Sequence, residues 1–506
     1  MTSSYKFHEG VGEIVPFYAR YQYPTQANKA WKTSVKIPPK NGSTFSSNAY
    51  GSSITFELPA QGYLHCANSV LSFDLRLKTS STTLRNTRVQ NNVQSIFAHA
   101  RLHYGSLPLE QLRHVNVLTR MLSEGTGTNT NGQMDQNAIT EGIGGIHYVT
   151  STKENATALV GVNTRLHAIQ SLDYNPVLST PHGVSNNAND AGIYRRYTVQ
   201  LPFGLFQQNK LLPLKWMASQ LSIQLDLAAA IDCIVQDSSE GIQCEYEVAN
   251  MFFNAELLEY DSSYDAAFLE GLRGDGVPLK FASWDTFETT PSPGRAQTIL
   301  IPERNRSLKA AFTVQLPPSH AGYDSHAMLQ SSAATLEGTG TNVHSFYHGH
   351  LSTFQYRIGG KYWPSTPVQC GETRSNGAAE AYMEFAKALN VVGDYRLCSA
   401  INPTRWCCMT GAGTVINTVS DWSSEDSYEP LTRSDKHFGP SYFVIAANLE
   451  TSTGGEISGL NGEEQNDLAL MINYSEAQNP SCRYLTFVYY DALLVLRENN
   501  MVELIK

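Results

Sequence analysis

The sequence has 506 residues, of which 41% are hydrophobic and 16% are charged, and its formal net charge is −10. This composition is typical of a globular protein and excludes a disordered chain, while the length exceeds one ordinary core and predicts two or more domains. The negative charge excludes a general nucleic-acid binder. A charged fraction below the usual ~25% suits a protein that buries much surface in itself or against its own copies.

The first 50 residues differ from the rest in charge, with a balance of +4. The charged residues are Lys6, Arg20, Lys29, Lys32, Lys36, Lys40, Glu9 and Glu13. We predict an N-terminal arm over residues 1–50, which is either close to an anionic partner or a solvated tail. No secretory signal and no apolar run of about 18 residues is found, so we expect neither secretion nor a transmembrane segment.

Alternating apolar and polar residues predict many half-buried strands. In "SVLSFDLRL" (69–77), for example, Leu71, Phe73 and Leu75 share one face. Further strands are predicted at 53–58, 197–203, 221–228, 252–258, 310–317, 442–449, 468–474 and 489–495. We expect Phe73, Leu75, Phe312 and Val314 to be core residues.

Two helices are predicted between these strands. The first begins at Pro108, a residue that suits the first helical position, and its apolar residues recur at intervals of three and four. These are Leu112, Val115, Leu118 and Leu122. The second covers "AAEAYMEFAKAL" (378–389), which is rich in helix-forming residues.

The two halves of the chain repeat each other. "VLSFDLRL" (70–77) matches "KAAFTVQL" (309–316), and "LHYGSLPLE" (102–110) resembles "YRIGGKYWPST" (356–366). "YTVQLP" (197–202) matches "YFVIAA" (442–447), and "LSIQLDL" (221–227) falls opposite "LALMINY" (468–474). "FFNAELL" (252–258) and "YYDALLV" (489–495) close the two halves. Because all matches keep their order, with offsets of about 237 to 255 positions, we predict a tandem pair of homologous β domains.

Eight strands, one short helix and long loops in each half predict two tandem eight-stranded jelly-roll β-sandwiches, an all-β fold. We divide the chain into an N-terminal arm (1–50), jelly roll 1 (51–262), an interdomain linker (263–295), jelly roll 2 (296–498) and a C-terminal tail (499–506). Long connections at 123–195, 318–351 and 391–441 are rich in Gly, Asn, Ser and Thr. Segments of this length are uncommon unless they are functional or disordered.

No catalytic, cofactor or metal site is predicted. Asp285 and Glu288 form one nearby carboxylate pair, as a sugar-cleaving enzyme requires, but no feature of the sequence assigns them a role. "HSFYHGH" (344–350) offers His344, His348 and His350 as metal ligands, but its surroundings do not predict a helix and no H-E-x-x-H is present, so we interpret it as a polar loop. Arg273-Gly274-Asp275 is an integrin-type tripeptide that we interpret as a linker turn.

Eight cysteines and four glycosylation sequons complete the candidate sites. We expect reduced thiols, including the adjacent pair Cys407 and Cys408, and chance sequons. The cysteines are Cys66, Cys233, Cys244, Cys370, Cys398, Cys407, Cys408 and Cys482, and the sequons begin at Asn41, Asn155, Asn305 and Asn473.

Several stretches resemble the double jelly-roll major capsid proteins of tailless icosahedral dsDNA viruses, in particular of polinton-like viruses and virophages. They are "YRIGGKYWPSTPV" (356–368), "AAEAYMEFAKAL" (378–389), "YFVIAANLETSTGGEISGLN" (442–461) and "YLTFVYYDALLVLRENNMVEL" (484–504). The resemblance implies a non-enzymatic structural protein. It would form homotrimeric, pseudo-hexameric capsomers that tile an icosahedral shell around dsDNA.

The implied partners are neighbouring capsomers and penton and minor capsid proteins, with at most weak, non-specific contact with genomic DNA. The implied location is the virion, assembled in the cytoplasm or nucleus of the host cell. The alternative is a viral spike, a receptor-binding or carbohydrate-binding β-sandwich protein. The resemblance also places residues 1–50 at the inner base of a capsomer and the long loops at its outer end.

Overall fold

A computed structural model shows that the described part of the chain consists mainly of antiparallel strands in two similar halves. It describes residues 30–47, 53–78, 85–89, 93–126, 149–150, 194–208, 210–237, 245–274, 276–316, 346, 348, 351–371, 378–392, 401, 406, 437–438, 442–451, 457–462, 468–474, 483–498 and 501–506.

The first half is a sandwich of two antiparallel sheets. Its strands are β1 (Ala30–Ile37), β2 (Thr44–Ser46), β3 (Ser53–Glu57), β4 (Tyr63–Leu64), β5 (Val70–Lys78), β6 (Arg85–Val89), β7 (Phe97–Tyr104), β8 (Leu107–Arg113), β9 (Val149–Thr150), β10 (Arg195–Val199), β11 (Leu221–Leu227), β12 (Ile234–Asp237) and β13 (Glu245–Tyr260). The main strand orders are β1-β13-β5-β10 and β3-β11-β7-β8. The small strands β2 and β4 also pair with β13.

The second half repeats this arrangement. Its strands are β14 (Val277–Thr289), β15 (Ala296–Ile301), β16 (Leu308–Leu316), β17 (Leu351–Ile358), β18 (Lys361–Gln369), β19 (His437–Phe438), β20 (Val444–Asn448), β21 (Leu468–Tyr474), β22 (Arg483–Arg497) and β23 (Met501–Ile505). The main strand orders are β14-β22-β16-β20 and β15-β21-β17-β18, with β23 paired to β22.

Within the described residues, five α-helices and three short 3-10 turns accompany the strands. The helices are α1 (Val115–Thr126), α2 (Gly204–Gln207), α3 (Ala230–Cys233), α4 (Ser262–Arg273) and α5 (Ala379–Ala388), and the turns are Cys66–Asn68, Val93–Ile96 and Leu214–Trp216. Asp261 caps α4, because its carboxylate accepts a hydrogen bond from the backbone N–H of Tyr264 at 3.2 Å.

Each half is therefore a jelly roll, with eight principal strands in the order 1-8-3-6 in one sheet and 2-7-4-5 in the other. The predicted repeat is confirmed, since "FFNAELL" lies in β13, "YYDALLV" lies in β22, and both strands are second in their sheets. The alternating strands bury their apolar faces as predicted. Phe73, Leu75, Phe312 and Val314 are all at most 1% exposed.

One match of the repeat needs a correction of register. Tyr197 pairs with Phe73, and Ala446 pairs with Phe312, which is the counterpart of Phe73 in the second half. The structural counterpart of Tyr197 is therefore Ala446, and the sequence match to Tyr442 was four positions out of register. Short β sequences share a small alphabet, so Tyr-x-Val recurs without marking the same position.

The first helix also differs from its prediction. Residues 107–113 form β8, the second strand of a hairpin with β7, and α1 begins only at Val115. Leu109 and Leu112 are buried in this strand. Pairing with β7 overrides the helical spacing of the apolar residues. The second helix is close to its predicted range, at Ala379–Ala388.

Three of the predicted boundary segments contain regular structure. The range 263–295, expected as a linker, holds most of α4 and all of β14, which pairs with β22 along its full length. The predicted arm (1–50) includes β1 and β2, which pair with β13. The predicted tail (499–506) includes β23. Local polarity suggested connections here, whereas distant strands supply the hydrogen-bond partners.

Candidate assembly surfaces and the joint between the jelly rolls

The two jelly rolls meet at a joint built around one buried carboxylate. Glu110 on β8 has no exposed surface. Its oxygens accept hydrogen bonds from the backbone N–H groups of Gly204 and Leu205, both at 2.8 Å. It also accepts one from the hydroxyl of Ser283 on β14, at 2.6 Å. A single side chain therefore connects β8 and α2 of the first jelly roll to the first strand of the second.

Gly204 permits the close approach at this joint. A Cβ atom at this position would lie 1.6 Å from the carbonyl oxygen of Ala282 on β14. No other residue has a side chain small enough for this contact, so the backbone of α2 touches the backbone of β14 directly.

Acidic groups around the joint have raised pKa values. Burial raises the pKa of the Glu110 carboxyl, against the effect of its three hydrogen bonds. Burial, followed by the charge of Asp285, raises the pKa of Glu303 to about 7. The positive charge of Lys506 acts in the opposite direction on both glutamates. Its ammonium lies 5.6 Å from the ring centroid of Tyr490. Burial thus opposes ionisation of both carboxyls, whereas Lys506 and the hydrogen bonds to their oxygens favour it.

A second contact between the jelly rolls is made by α1. The fully buried guanidinium of Arg120 stacks over the ring of Phe346, 4.4 Å from its centroid. The hydroxyl of Tyr442 donates a hydrogen bond to the backbone carbonyl of Met121. A Cβ atom at Gly125 would lie 2.7 Å from Leu389, so α1 and the end of α5 are in tight contact. Among the described residues, α1 thus adds a second set of contacts to the joint at Glu110.

The predicted carboxylate pair, Asp285 and Glu288, lies at the rim of this joint. Asp285 accepts a hydrogen bond from Asn305 at 3.2 Å. Glu288 forms an ion pair with Arg483 at 3.3 Å, and one of its oxygens lies 3.4 Å from Nε2 of His114. Residues three apart on a strand project to opposite faces, so these carboxylates do not face one common bond. Both take part in packing.

The predicted histidine cluster is only partly described. His344 and His350 lie outside the described residues. His348 is buried, with its Nε2 atom 2.7 Å from the carbonyl oxygen of Cys370 and its ring 4.4 Å from that of Phe443. Within the described part of the chain, no group of three or more metal-ligating side chains occurs. His348 is therefore a packed core residue.

The described cysteines, Cys66, Cys233 and Cys370, are buried. Burial raises the pKa of Cys66 to about 12 and also raises the pKa of Cys370. A protonated, buried thiol is a poor nucleophile. Cys244, Cys398, Cys407, Cys408 and Cys482 lie outside the described residues.

The sequons and the Arg-Gly-Asp tripeptide are only partly within the described residues. Asn305 is buried, whereas Asn41 and Asn473 are exposed; Asn155 is outside the described residues. Arg273 ends α4 and pairs with Glu498 at 3.0 Å, and Gly274 is the C-cap of the helix. Asp275 is outside the described residues. The Arg-Gly sequence therefore ends a helix.

Strand directions separate the molecule into two ends. The residues that flank the long connections lie at one end: β16 ends at Leu316, which pairs with Arg483 at the start of β22. At the opposite end, Ala30 of β1 pairs with Tyr260 at the end of β13. Helix α4 and β23 lie there as well, since α4 follows β13 and β23 pairs with the end of β22. We call these the loop end and the base end.

Two edge strands present exposed aromatic residues. Trp31 on β1 is 72% exposed, and Tyr362 and Trp363 on β18 are 47% and 50% exposed. β1 and β18 are the outermost strands of their sheets. An open edge strand is a template for association unless it is covered.

No helix in the described residues has the length and apolarity needed to cross a membrane.

Comparisons with known proteins identify the fold. No protein-family model matches the sequence, and no curated protein matches it. Solved structures match over nearly the whole chain. The structure of the Sputnik virophage is 11% identical in sequence, with a TM-score of 0.54. The match covers 96% of this chain and 90% of the matched Sputnik chain.

The fold is the double jelly roll. A second match, VP54 of PBCV-1 fitted into a reconstruction of Sputnik, is 10% identical with a TM-score of 0.53 and covers 96% of this chain and 99% of its own. The PBCV-1 capsid model is 12% identical with the same TM-score. The double jelly-roll fold expected from the sequence is thereby confirmed.

Proposed function

We propose that this chain is the major capsid protein of a tailless icosahedral dsDNA virus. The observation that carries the proposal is the double jelly roll itself, which matches capsid proteins of Sputnik and PBCV-1 over 96% of the chain. The joint at Glu110 supports it, because two sandwiches fixed side by side form a rigid block suited to tiling. The chain acts by packing and has no catalytic step.

The proposed capsomer is a homotrimer. Three chains contribute six jelly rolls, which gives a six-sided block from a three-fold assembly. Closed rings of identical chains are the usual outcome when a head-to-tail contact repeats with a closing rotation. Neighbouring capsomers, penton proteins and minor capsid proteins are the further partners, and the virion is the location.

The base end is proposed to face the genome and the loop end to face outward. Three of the six basic residues in the first 50 positions, Lys6, Arg20 and Lys29, precede β1, which starts at the base end. With Glu9 and Glu13 they give a balance of only +1, so attraction to DNA is at most weak, because affinity follows the number of phosphates neutralised. Protease treatment of intact particles tests the orientation. Cuts should fall within 123–195, 318–351 or 391–441, and early cleavage before β1, within 1–29 alone, would reverse the assignment.

Measurement of the molar mass of the purified protein tests the capsid proposal. Purified protein should have three times the 55.8 kDa mass of one chain by light scattering, and should form hexagonal arrays or shells by electron microscopy. A stable monomer that binds a carbohydrate or a cell-surface receptor would instead support the spike alternative.

A further inference from the structure

The joint inside the chain uses one edge strand from each jelly roll. β8 is an edge strand of the first jelly roll, and β14 is an edge strand of the second. They are joined through Glu110 and Ser283, and through a hydrogen bond from the Thr286 hydroxyl to the Arg113 carbonyl at 3.2 Å. Because the sheet orders are the same, β18 is the counterpart of β8, and β1 is the counterpart of β14. In the described structure, neither counterpart strand has a jelly roll packed against it.

Residues at corresponding positions of β1 and β14 differ in solvent exposure. Thr33 pairs with Leu257, and Leu279 pairs with Leu494, so Thr33 and Leu279 hold the same position in their sheets. In the same way, Val35 corresponds to Phe281. Leu279 and Phe281 are each 3% exposed, whereas Thr33 is exposed and Val35 is only partly buried. What differs is the neighbour: α2 and β8 cover β14, and no equivalent element covers β1 among the described residues.

The counterpart of Glu110 on β18 is Trp363. Leu102 pairs with Glu110, and Tyr356 pairs with Trp363; Leu102 and Tyr356 both lie two residues before the last paired residue of their hairpins. Trp363 is half exposed, but its indole N–H donates a hydrogen bond to the carbonyl of Asn448 at 2.7 Å. The ring is therefore held in place before any partner binds, which lowers the entropy cost of association.

Glu110 and Trp363 differ in the hydrogen-bond partners that they need when they are buried. Glu110 satisfies its carboxylate with three donors inside one chain. An aromatic residue at the equivalent position can be buried by a separate chain without an unpaired charge. Aromatic side chains are enriched in the cores of protein–protein interfaces, where Lys and Glu are depleted.

We infer that β18 of one copy docks on β1 of a second copy, with Trp363 packed against the row formed by Trp31, Thr33 and Val35. The inference rests on the proposed capsomer and specifies its contact. The contact is head-to-tail, because each chain contributes β18 to one neighbour and β1 to the other. Chains are added in this way until the ring closes. The joint between chains then repeats the joint within the chain, with an aromatic contact in place of the buried carboxylate.

Substitutions at the two edges test the contact. Trp363→Asp and Thr33→Arg should each weaken association at least tenfold, so that the variants are monomers at concentrations where the wild type is a trimer. Leu300→Asp is the control for the first, since Leu300 is 63% exposed on β15 at the other edge of the same sheet. Ser34→Arg is the control for the second, since Ser34 is exposed on the opposite face of β1. Both controls should remain trimers.

Light scattering measures the mass, and thermal unfolding shows that each variant is folded. If Trp363→Asp fails to fold, Trp363→Ala takes its place. Edge variants that keep the trimer, or controls that lose it equally, overturn the β18–β1 contact and leave the capsid proposal intact. A wild-type protein that is monomeric at every concentration overturns the capsid proposal and the contact with it.

Discussion

The carboxylate of Glu110 and the hydroxyl of Ser283 are 2.6 Å apart, and this hydrogen bond connects two jelly rolls that are otherwise complete sandwiches. The same carboxylate accepts two backbone N–H groups at the start of α2. The side chain therefore holds together three elements from two halves of the chain.

Glu110→Ala should lower the free energy of unfolding by about 3 kcal/mol, because it leaves buried N–H donors without an acceptor. Glu110→Gln should cost less, since the amide oxygen still accepts. Denaturant unfolding measures both. Gln111→Ala, at the exposed neighbouring position of β8, is the control and should change stability by no more than about 0.5 kcal/mol. Equal effects of Glu110→Ala and Gln111→Ala would contradict the role of the joint.

Gly204→Ala should separate the two backbones at the joint. The new methyl group would overlap the Ala282 carbonyl, which lies 1.6 Å from the Cβ position. We expect a loss of about 3 kcal/mol or more, as in severe overpacking. Gly294→Ala is the matched control, because a Cβ atom there meets its nearest neighbour at an ordinary 3.6 Å. Hydrogen exchange of β14 amides should increase in the first variant only.

The pH dependence of stability should report on Glu303. Its pKa in the folded protein is about 7, against an ordinary value of 4.5. The folded state therefore binds the proton more tightly, and this stabilising contribution is present below pH 4.5 and is lost as the pH rises through 7. The wild type should lose about 2–3 kcal/mol from this group between pH 4.5 and pH 8. Glu303→Gln should flatten that part of the curve; an unchanged curve would contradict the assignment.

Core substitutions in the two halves should have similar effects. Phe312 lies 5.6 Å from Trp284, and its counterpart Phe73 lies 5.9 Å from Phe97, measured between ring centroids. Phe312→Ala and Phe73→Ala should each cost roughly 3–5 kcal/mol and lower the yield of capsomers. Leu300→Ala, on an exposed side chain, should cost far less. Unimpaired folding and assembly of either phenylalanine variant would contradict the strand register.

Sequence patterns predicted the elements that depend on local alternation. The strand containing Phe73 and Leu75 buries one face, and that periodicity is visible without a structure. The tandem repeat could be predicted because β13 and β22, the corresponding strands of the two halves, are apolar at matching positions.

The joint could not be predicted, because it depends on contacts between distant residues. Glu110 is a single acidic residue in "LPLEQLR", a pattern that equally suits a helix or an exposed strand. Its burial becomes visible only when Ser283 is placed beside it. For the same reason β14 was expected to be part of a linker, since its partner β22 lies about 200 residues further along the chain.

The pairing of β1 with β13 fixes the order in which the protein can fold during synthesis. Ala30 pairs with Tyr260, so the first jelly roll cannot close its main sheet until residue 260 has left the ribosome. β14 pairs with residues 484–496, so it stays without its partner while most of the second half is translated. The hydrogen bond between Glu110 and Ser283 can therefore form only after β14 has paired with β22. We expect docking of the two jelly rolls to be the last, slowest step before assembly.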